Sequence, residues 1–158
     1  MKIKKTIAIV AHDNRKKDMA EWVGYNWKEL AQHTLVCTGT TGKMVDDTIS
    51  QKCKEHDAMP PQVIILKSGP LGGDQQLGAL ICEGKVDMLI FFWDPMQPQP
   101  HDVDVKALLR ISTLYNIPTA TNRSTADFII SSKLFHQEYE PILKDYSTYI
   151  KRDVDFNQ

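Results

Sequence analysis

The sequence predicts one α/β domain over residues 1–158, a three-layer α/β/α sandwich with a mostly parallel five-stranded sheet at its centre. Three observations predict it. Short apolar, β-rich runs alternate with helical segments of roughly ten to twenty residues, the pattern of successive strand–helix–strand units. Several runs are apolar at consecutive positions, as strands covered on both faces are. The glycines and unusual polar residues gather in the loops that follow the runs, the rim where such sheets bind ligands.

Taken in order, "IKKTIAIVA" (Ile3 to Ala11) is the first strand, and "HDNRK" is the loop after it. Trp22, Tyr25 and Trp27 lie in the helical segment that follows and are read as packing or as a contact between subunits. "HTLVCTG" (His33 to Gly39) is the second strand and runs into "TGTTGK". "MPPQ" is a proline-stiffened loop before the third strand, "QVIILKS" (Gln62 to Ser68), which ends in "SGPLGGDQQ". "VDMLIFFW" (Val86 to Trp93) is the fourth strand, with "DPMQPQPHD" after it. In the next helix Val105, Leu108, Leu109 and Ser112 share a stripe, and Asp102 and Asp104 suit its positive start. "PTATN" (Pro118 to Asn122) is the last strand, followed by "NRSTAD".

Charge and cysteine content narrow the function. The 19 basic and 20 acidic residues leave a net charge of -1, which gives no electrostatic reason for binding nucleic acid or a membrane surface. An anionic substrate would have to be held by a few aimed groups. Neither a signal peptide nor a membrane span is expected. Three cysteines with no C-x-x-C pair argue against a zinc or disulfide framework and suit a reducing cytoplasm. Cys37 and Cys82 sit in apolar runs and are expected to be buried.

The loops carry the chemistry. "TGTTGK" could cradle a phosphate on the backbone N–H groups of Thr40, Thr41 and Gly42 and on threonine hydroxyls, or could be an ordinary threonine-capped turn. It is not a P-loop, because only two residues separate Gly39 from Gly42 and Met44 stands where magnesium needs a hydroxyl. Asp74 could cap a helix, but a cap needs no glycine-rich loop in front of it. That loop allows the backbone of Ser68 and Gly69 to come close to a ligand. "AHD" and "HDVD" each set a histidine beside an acid, as catalytic groups or as metal ligands. No H-E-x-x-H, cysteine/histidine spacing or compact carboxylate cluster favours the metal. Lys16 is surface charge by default, or a local cation for phosphate.

"AHD", "TGTTG", "SGPLGGDQQ", "FFWDP", "PHDVDVKALLR" and "ATN…TADF" stand in order across residues 6 to 131, and the set resembles the methylglyoxal synthase family. The resemblance implies a Rossmann-like domain with no cofactor, in a cytoplasmic homohexamer. The implied reaction converts dihydroxyacetone phosphate to methylglyoxal and inorganic phosphate. By the same resemblance Asp74 is the catalytic base, His101 stands at the substrate's oxygens, and Asp104 is a supporting acid of the catalytic set. His12, Asp13, Lys16, Thr38, Gly39, Thr40, Thr41, Ser68, Gly69 and Asp94 fall on substrate-binding positions, chiefly for the phosphate, which as product would also inhibit. A C-terminal arginine of the family reaches a neighbouring subunit's site. Arg152 stands one residue from that place, counted from Asp145 and Tyr146. "QKCKEHDAMPPQ" is a longer connection than the family leads one to expect. The same fold also serves as an effector-binding module of larger enzymes, which would need neither the base nor the His–Asp pairs.

Overall fold

The computed structural model describes residues 1–152, so the expected domain end at residue 158 lies outside the described residues. Five strands form one sheet: β1 (Thr6–Ala11), β2 (Thr34–Thr38), β3 (Val63–Leu66), β4 (Met88–Phe92) and β5 (Thr119–Ala120). Their order is β3-β2-β1-β4-β5, and all four pairings are parallel. Each strand is shorter than its apolar run. β5 keeps two residues of the five read from sequence, because it pairs with β4 only at Leu89–Thr119 and Ile90–Ala120.

The alternation of side chains along β1 separates two cores. Ile7, Ile9 and Ala11 join Leu35, Cys37, Met88, Ile90 and Phe92 on one face. There they meet α1 (Lys16–Tyr25), the short α2 (Trp27–Leu30), α3 (Gly39–Glu55) and α6 (Arg123–Ser131) through Met19, Leu30, Val45, Ile49 and Ile130. Ala8 and Val10 join Val36, Leu89 and Phe91 on the other face. α4 (Gly73–Cys82) and α5 (Asp102–Leu114) cover it with Leu77, Ile81, Val105 and Leu108. A last short helix, α7 (Ser147–Ile150), lies beyond the sandwich layers in sequence. Fully burying each large apolar side chain contributes about 1.5–3 kcal/mol, so the two faces supply the main driving force for the fold.

Sequence expectations and structure part at one cysteine. Cys82 is exposed rather than buried, whereas Cys53 joins the core. The cause is helical register. On α4 the buried stripe is Asp74, Leu77 and Ile81, and Cys82 lies a further 100° round. On α3 Cys53 continues the stripe Val45–Ile49 at a spacing of four.

The topology also sets where a ligand can sit. Chain order runs outward from β1 to β3, then returns to β4 on the other side of β1. Right-handed crossovers therefore put α1 and α3 on one face and α4 and α5 on the opposite face. The loops leaving β1 and β4 diverge, opening a crevice at their carboxyl ends.

Candidate active site

That crevice holds a cavity of about 280 Å³. Eleven of the nominated residues line it: His12, Asp13, Lys16, Thr38, Gly39, Thr40, Thr41, Ser68, Gly69, Asp74 and His101. Loops from four strands bring them together, although residues 12 and 101 are far apart in the chain.

One wall is built from a helix start of the kind that suits an anion. α3 starts at Gly39 with Thr38 in the cap position and no side-chain cap, so the backbone N–H groups of Gly39, Thr40 and Thr41 lack intrahelical acceptors. All three residues line the cavity, at the positive end of a 17-residue helix. Gly42, read from sequence as a donor, is already one turn in and uses its N–H within the helix. Its place is structural, for a Cβ there would lie 2.9 Å from the Ile65 side chain. The Thr41 hydroxyl donates to the Ala11 carbonyl at 3.2 Å, tying this helix start to β1. Gly39 has φ +45°, and a Cβ there would sit 2.7 Å from Ser68 Cα. Only glycine lets the second and third loops touch in this way.

The same cavity also holds a carboxyl and an imidazole, those of Asp74 and His101. Asp74 is the first member of the buried stripe of α4, and no capping bond engages it. A helix stripe that elsewhere carries Leu77 and Ile81 thus points a carboxyl inward, leaving it 4 % exposed. The turn before it must be glycine, because a Cβ on Gly73 would lie 1.9 Å from the Lys67 carbonyl oxygen. His101 occupies the position before α5 and extends that helix's own stripe of Val105, Leu108 and Ser112. α4 and α5 pack side by side, so the two stripes converge: His101 Nε2 lies 3.9 Å from Asp74 Oδ2. Gly69 leaves the space beside them open, since a Cβ there would be 3.0 Å from His101 Nε2 and 3.2 Å from Asp74 Oδ2.

Electrostatics distinguish the groups. Burial pushes the Asp74 carboxyl above the usual carboxylate range; His101 opposes the shift and Asp104 adds to it. Asp74 Oδ2, His101 Nδ1 and His12 Nε2 are buried without a protein partner. Burial, then the neighbouring His101, lowers the pKa of His12 and keeps it neutral. Its Nδ1 accepts the Asp94 backbone N–H at 3.0 Å, so the ring proton sits on Nε2 as a donor. Asp13 and Lys16 form an ion pair, and that hydrogen bond holds Asp13 below its ordinary pKa.

Three nominated residues do not line the cavity. The Asp94 carboxylate lies behind it, accepting the Asn14 amide at 2.9 Å and the Met96 backbone N–H at 3.1 Å. Asp104 acts on Asp74 through its charge, one turn into α5. Arg152 lies against its own Tyr149, with its guanidinium carbon 4.1 Å from the ring centroid. Sequence reasoning missed Gln99 and Pro70, which do line the cavity. The signal for Gln99 was its place two residues before His101, in a loop read only as proline-stiffened. Among the described residues no three His, Cys, Asp or Glu side chains are grouped closely enough to hold a metal ion. No described helix is long and apolar enough to cross a membrane.

Fold and cavity define a Rossmann-like α/β protein with a candidate small-molecule site at the rim of its sheet, lined by a helix start and a carboxyl–imidazole pair. Comparison with known proteins agrees and goes further. The model of the MGS-like domain matches residues 19–121. The methylglyoxal synthase of Maridesulfovibrio salexigens is 59% identical over 154 residues, covering 95% of this chain and 98% of that protein. That of Oleidesulfovibrio alaskensis is 52% identical over 152 residues, covering 96% and 97%. A crystal structure of methylglyoxal synthase from Elizabethkingia anophelis superposes with a TM-score of 0.87 at 44% identity, covering 99% of this chain and 96% of that one. The chain belongs to the methylglyoxal synthase family, a family of enzymes.

Proposed function

We propose that this chain is a carbon–oxygen lyase that converts dihydroxyacetone phosphate to methylglyoxal and inorganic phosphate, without a cofactor or a metal. The observation that carries the reading is Asp74: a buried carboxyl with a free Oδ2, 3.9 Å from His101 Nε2, in the same cavity as an anion cradle. Its raised pKa makes it a better base than a solvated carboxylate.

In this reading Gly39, Thr40, Thr41, Ser68 and Gly69, helped by Thr38 and Lys16, hold the phosphate. Asp74 removes a proton from the hydroxymethyl carbon. Negative charge develops on the carbonyl oxygen, where His101 and His12 stand as donors. The hydroxyl proton passes to that oxygen, and the hydroxymethyl oxygen becomes an aldehyde. The double bond shifts toward the ester carbon, whose C–O bond breaks, and the electron pair leaves with phosphate. The released enol takes a proton at its terminal carbon and gives up its hydroxyl proton to become methylglyoxal, and the proton held by Asp74 leaves with the phosphate. Fixed backbone donors suit this chemistry, because the scissile C–O bond must stand out of the enediolate plane for the π electrons to expel it. Asp13 supports the site by holding Lys16, Asp94 by tying the loop after β4, and Asp104 by helping to raise the pKa of Asp74. We read residues 1–158 as one catalytic domain in a cytoplasmic homohexamer, with Arg152 reaching a neighbouring phosphate.

The test is direct. Purified protein supplied with dihydroxyacetone phosphate should release methylglyoxal and phosphate in equal amounts, with EDTA present. Formation of glyceraldehyde 3-phosphate instead would make the chain an isomerase.

A further inference from the structure

We infer that the Gln99 side chain accepts a hydrogen bond from the substrate's free hydroxymethyl group and so sets selectivity for a hydroxyl-bearing triose phosphate, an inference that rests on the function proposed above. The reacting carbon carries that hydroxyl, which can donate a hydrogen bond to the protein before its proton passes to the neighbouring oxygen. The carboxylates near the reacting end are committed. Asp74 takes the carbon-bound proton, Asp13 is paired with Lys16, and Asp94 accepts from Asn14 and Met96. The hydroxyls of Thr38, Thr40 and Ser68 belong to the cradle wall, and Thr41 bonds the Ala11 carbonyl.

Gln99 offers a neutral acceptor at this end. It lines the cavity with His12, Asp74 and His101, and it also lines the outer cleft bounded by Asp13, Asn14 and Pro98. It therefore stands at the mouth, where the cavity meets that outer cleft. Its side chain makes only a long contact, Nε2 to the Gln97 carbonyl at 3.4 Å, which leaves Oε1 free. Its backbone is well held. The Gln99 carbonyl accepts the Asp102 N–H at 3.2 Å at the start of α5, and prolines at 98 and 100 restrict the chain on either side. The same helix start carries His101, so the acceptor and the imidazole are positioned together.

The experiment compares dihydroxyacetone phosphate with hydroxyacetone phosphate, which lacks the hydroxyl, as a competitive inhibitor. Gln99→Leu should raise KM for the substrate about 3- to 10-fold, the worth of one neutral hydrogen bond. The inhibition constants of hydroxyacetone phosphate and of inorganic phosphate should stay within about twofold, since neither meets this contact. Gln99→Glu keeps an acceptor and should keep the ratio of KM to the hydroxyacetone phosphate inhibition constant, even though its charge weakens both. An unchanged ratio in Gln99→Leu overturns the inference, and so does an equal change of ratio in both variants, which would mean a packing effect. A wild-type protein that releases no methylglyoxal would instead overturn the proposed reaction.

Discussion

Ionising Asp74 inside the cavity works against folding, because the carboxylate leaves water and gains no hydrogen bond to its Oδ2. Its raised pKa means that the folded protein prefers the protonated form. Stability from this group is therefore fully present below the ordinary carboxylate pKa and is lost as pH rises through the raised value. Asp74→Asn is expected to melt no lower than wild type at neutral pH, while turnover falls roughly 10²- to 10⁴-fold. Scanning calorimetry beside steady-state kinetics checks both, and wild-type turnover in the variant would remove Asp74 as the base. In wild type, kcat/KM should fall on acidification above the ordinary carboxylate range. Asp74 was legible in the sequence because the glycines before it exceed what a helix cap requires. Gln99 was not, because a loop between prolines has no periodicity from which to read a direction. Cys82 misled for the related reason that apolar neighbours do not reveal which side of a helix a residue takes.

Many of the cavity's residues sit at helix starts, whose geometry depends on close loop packing. The start of α3 serves as a cradle only while its Gly39 turn lies against Ser68. Gly39→Ala would place a methyl 2.7 Å from the Ser68 backbone at a φ of +45°. The variant should lose about 1–3 kcal/mol in urea denaturation. It should also bind inorganic phosphate more weakly by calorimetry, because the loops must separate. A variant with unchanged stability and unchanged phosphate affinity would show that the contact is dispensable. "TGTTG" was legible as a strand–helix turn with phosphate character. Which of its N–H groups stay free followed only from the helix beginning at Gly39 and not later.

At the scale of the whole molecule, the end of the sheet away from the cavity joins the segment before β1 to the segment after α6. The buried Lys5 donates to the Lys2 carbonyl at 2.9 Å and the Gln137 carbonyl at 2.8 Å. His33 accepts the Lys5 backbone N–H at 3.1 Å and packs edge-on against Phe135. Burial, reinforced by the charge of Lys5, lowers the His33 pKa from 6.5 to about 4. Because the folded value is depressed, the stability is present above pH 6.5 and is lost as pH falls toward 4. The loss should be about 1–3 kcal/mol, allowing for water near the ring. Urea denaturation at the two pH values should show that much less acid sensitivity in His33→Gln; equal sensitivity would mean that His33 does not titrate in this window. Assembly is tested at the opposite rim. The chain should be oligomeric by light scattering, and Arg152→Ala should raise KM with little change in kcat. An active monomer with unchanged KM would exclude a shared site.

By itself the sequence determined the layers, the strand order along the chain and the loops that carry chemistry. These depend on local periodicity, turn residues and composition, which neighbouring positions encode. The tertiary structure alone decided which of those loops meet. Asp74 and His101 lie 3.9 Å apart because α4 and α5 pack on one face, and Gly39 touches Ser68 because β2 and β3 are adjacent. Asp94 moved behind the site and Gln99 into it for the same kind of reason. Side-chain direction in a loop is set by contacts between distant segments, and no run of adjacent residues contains them.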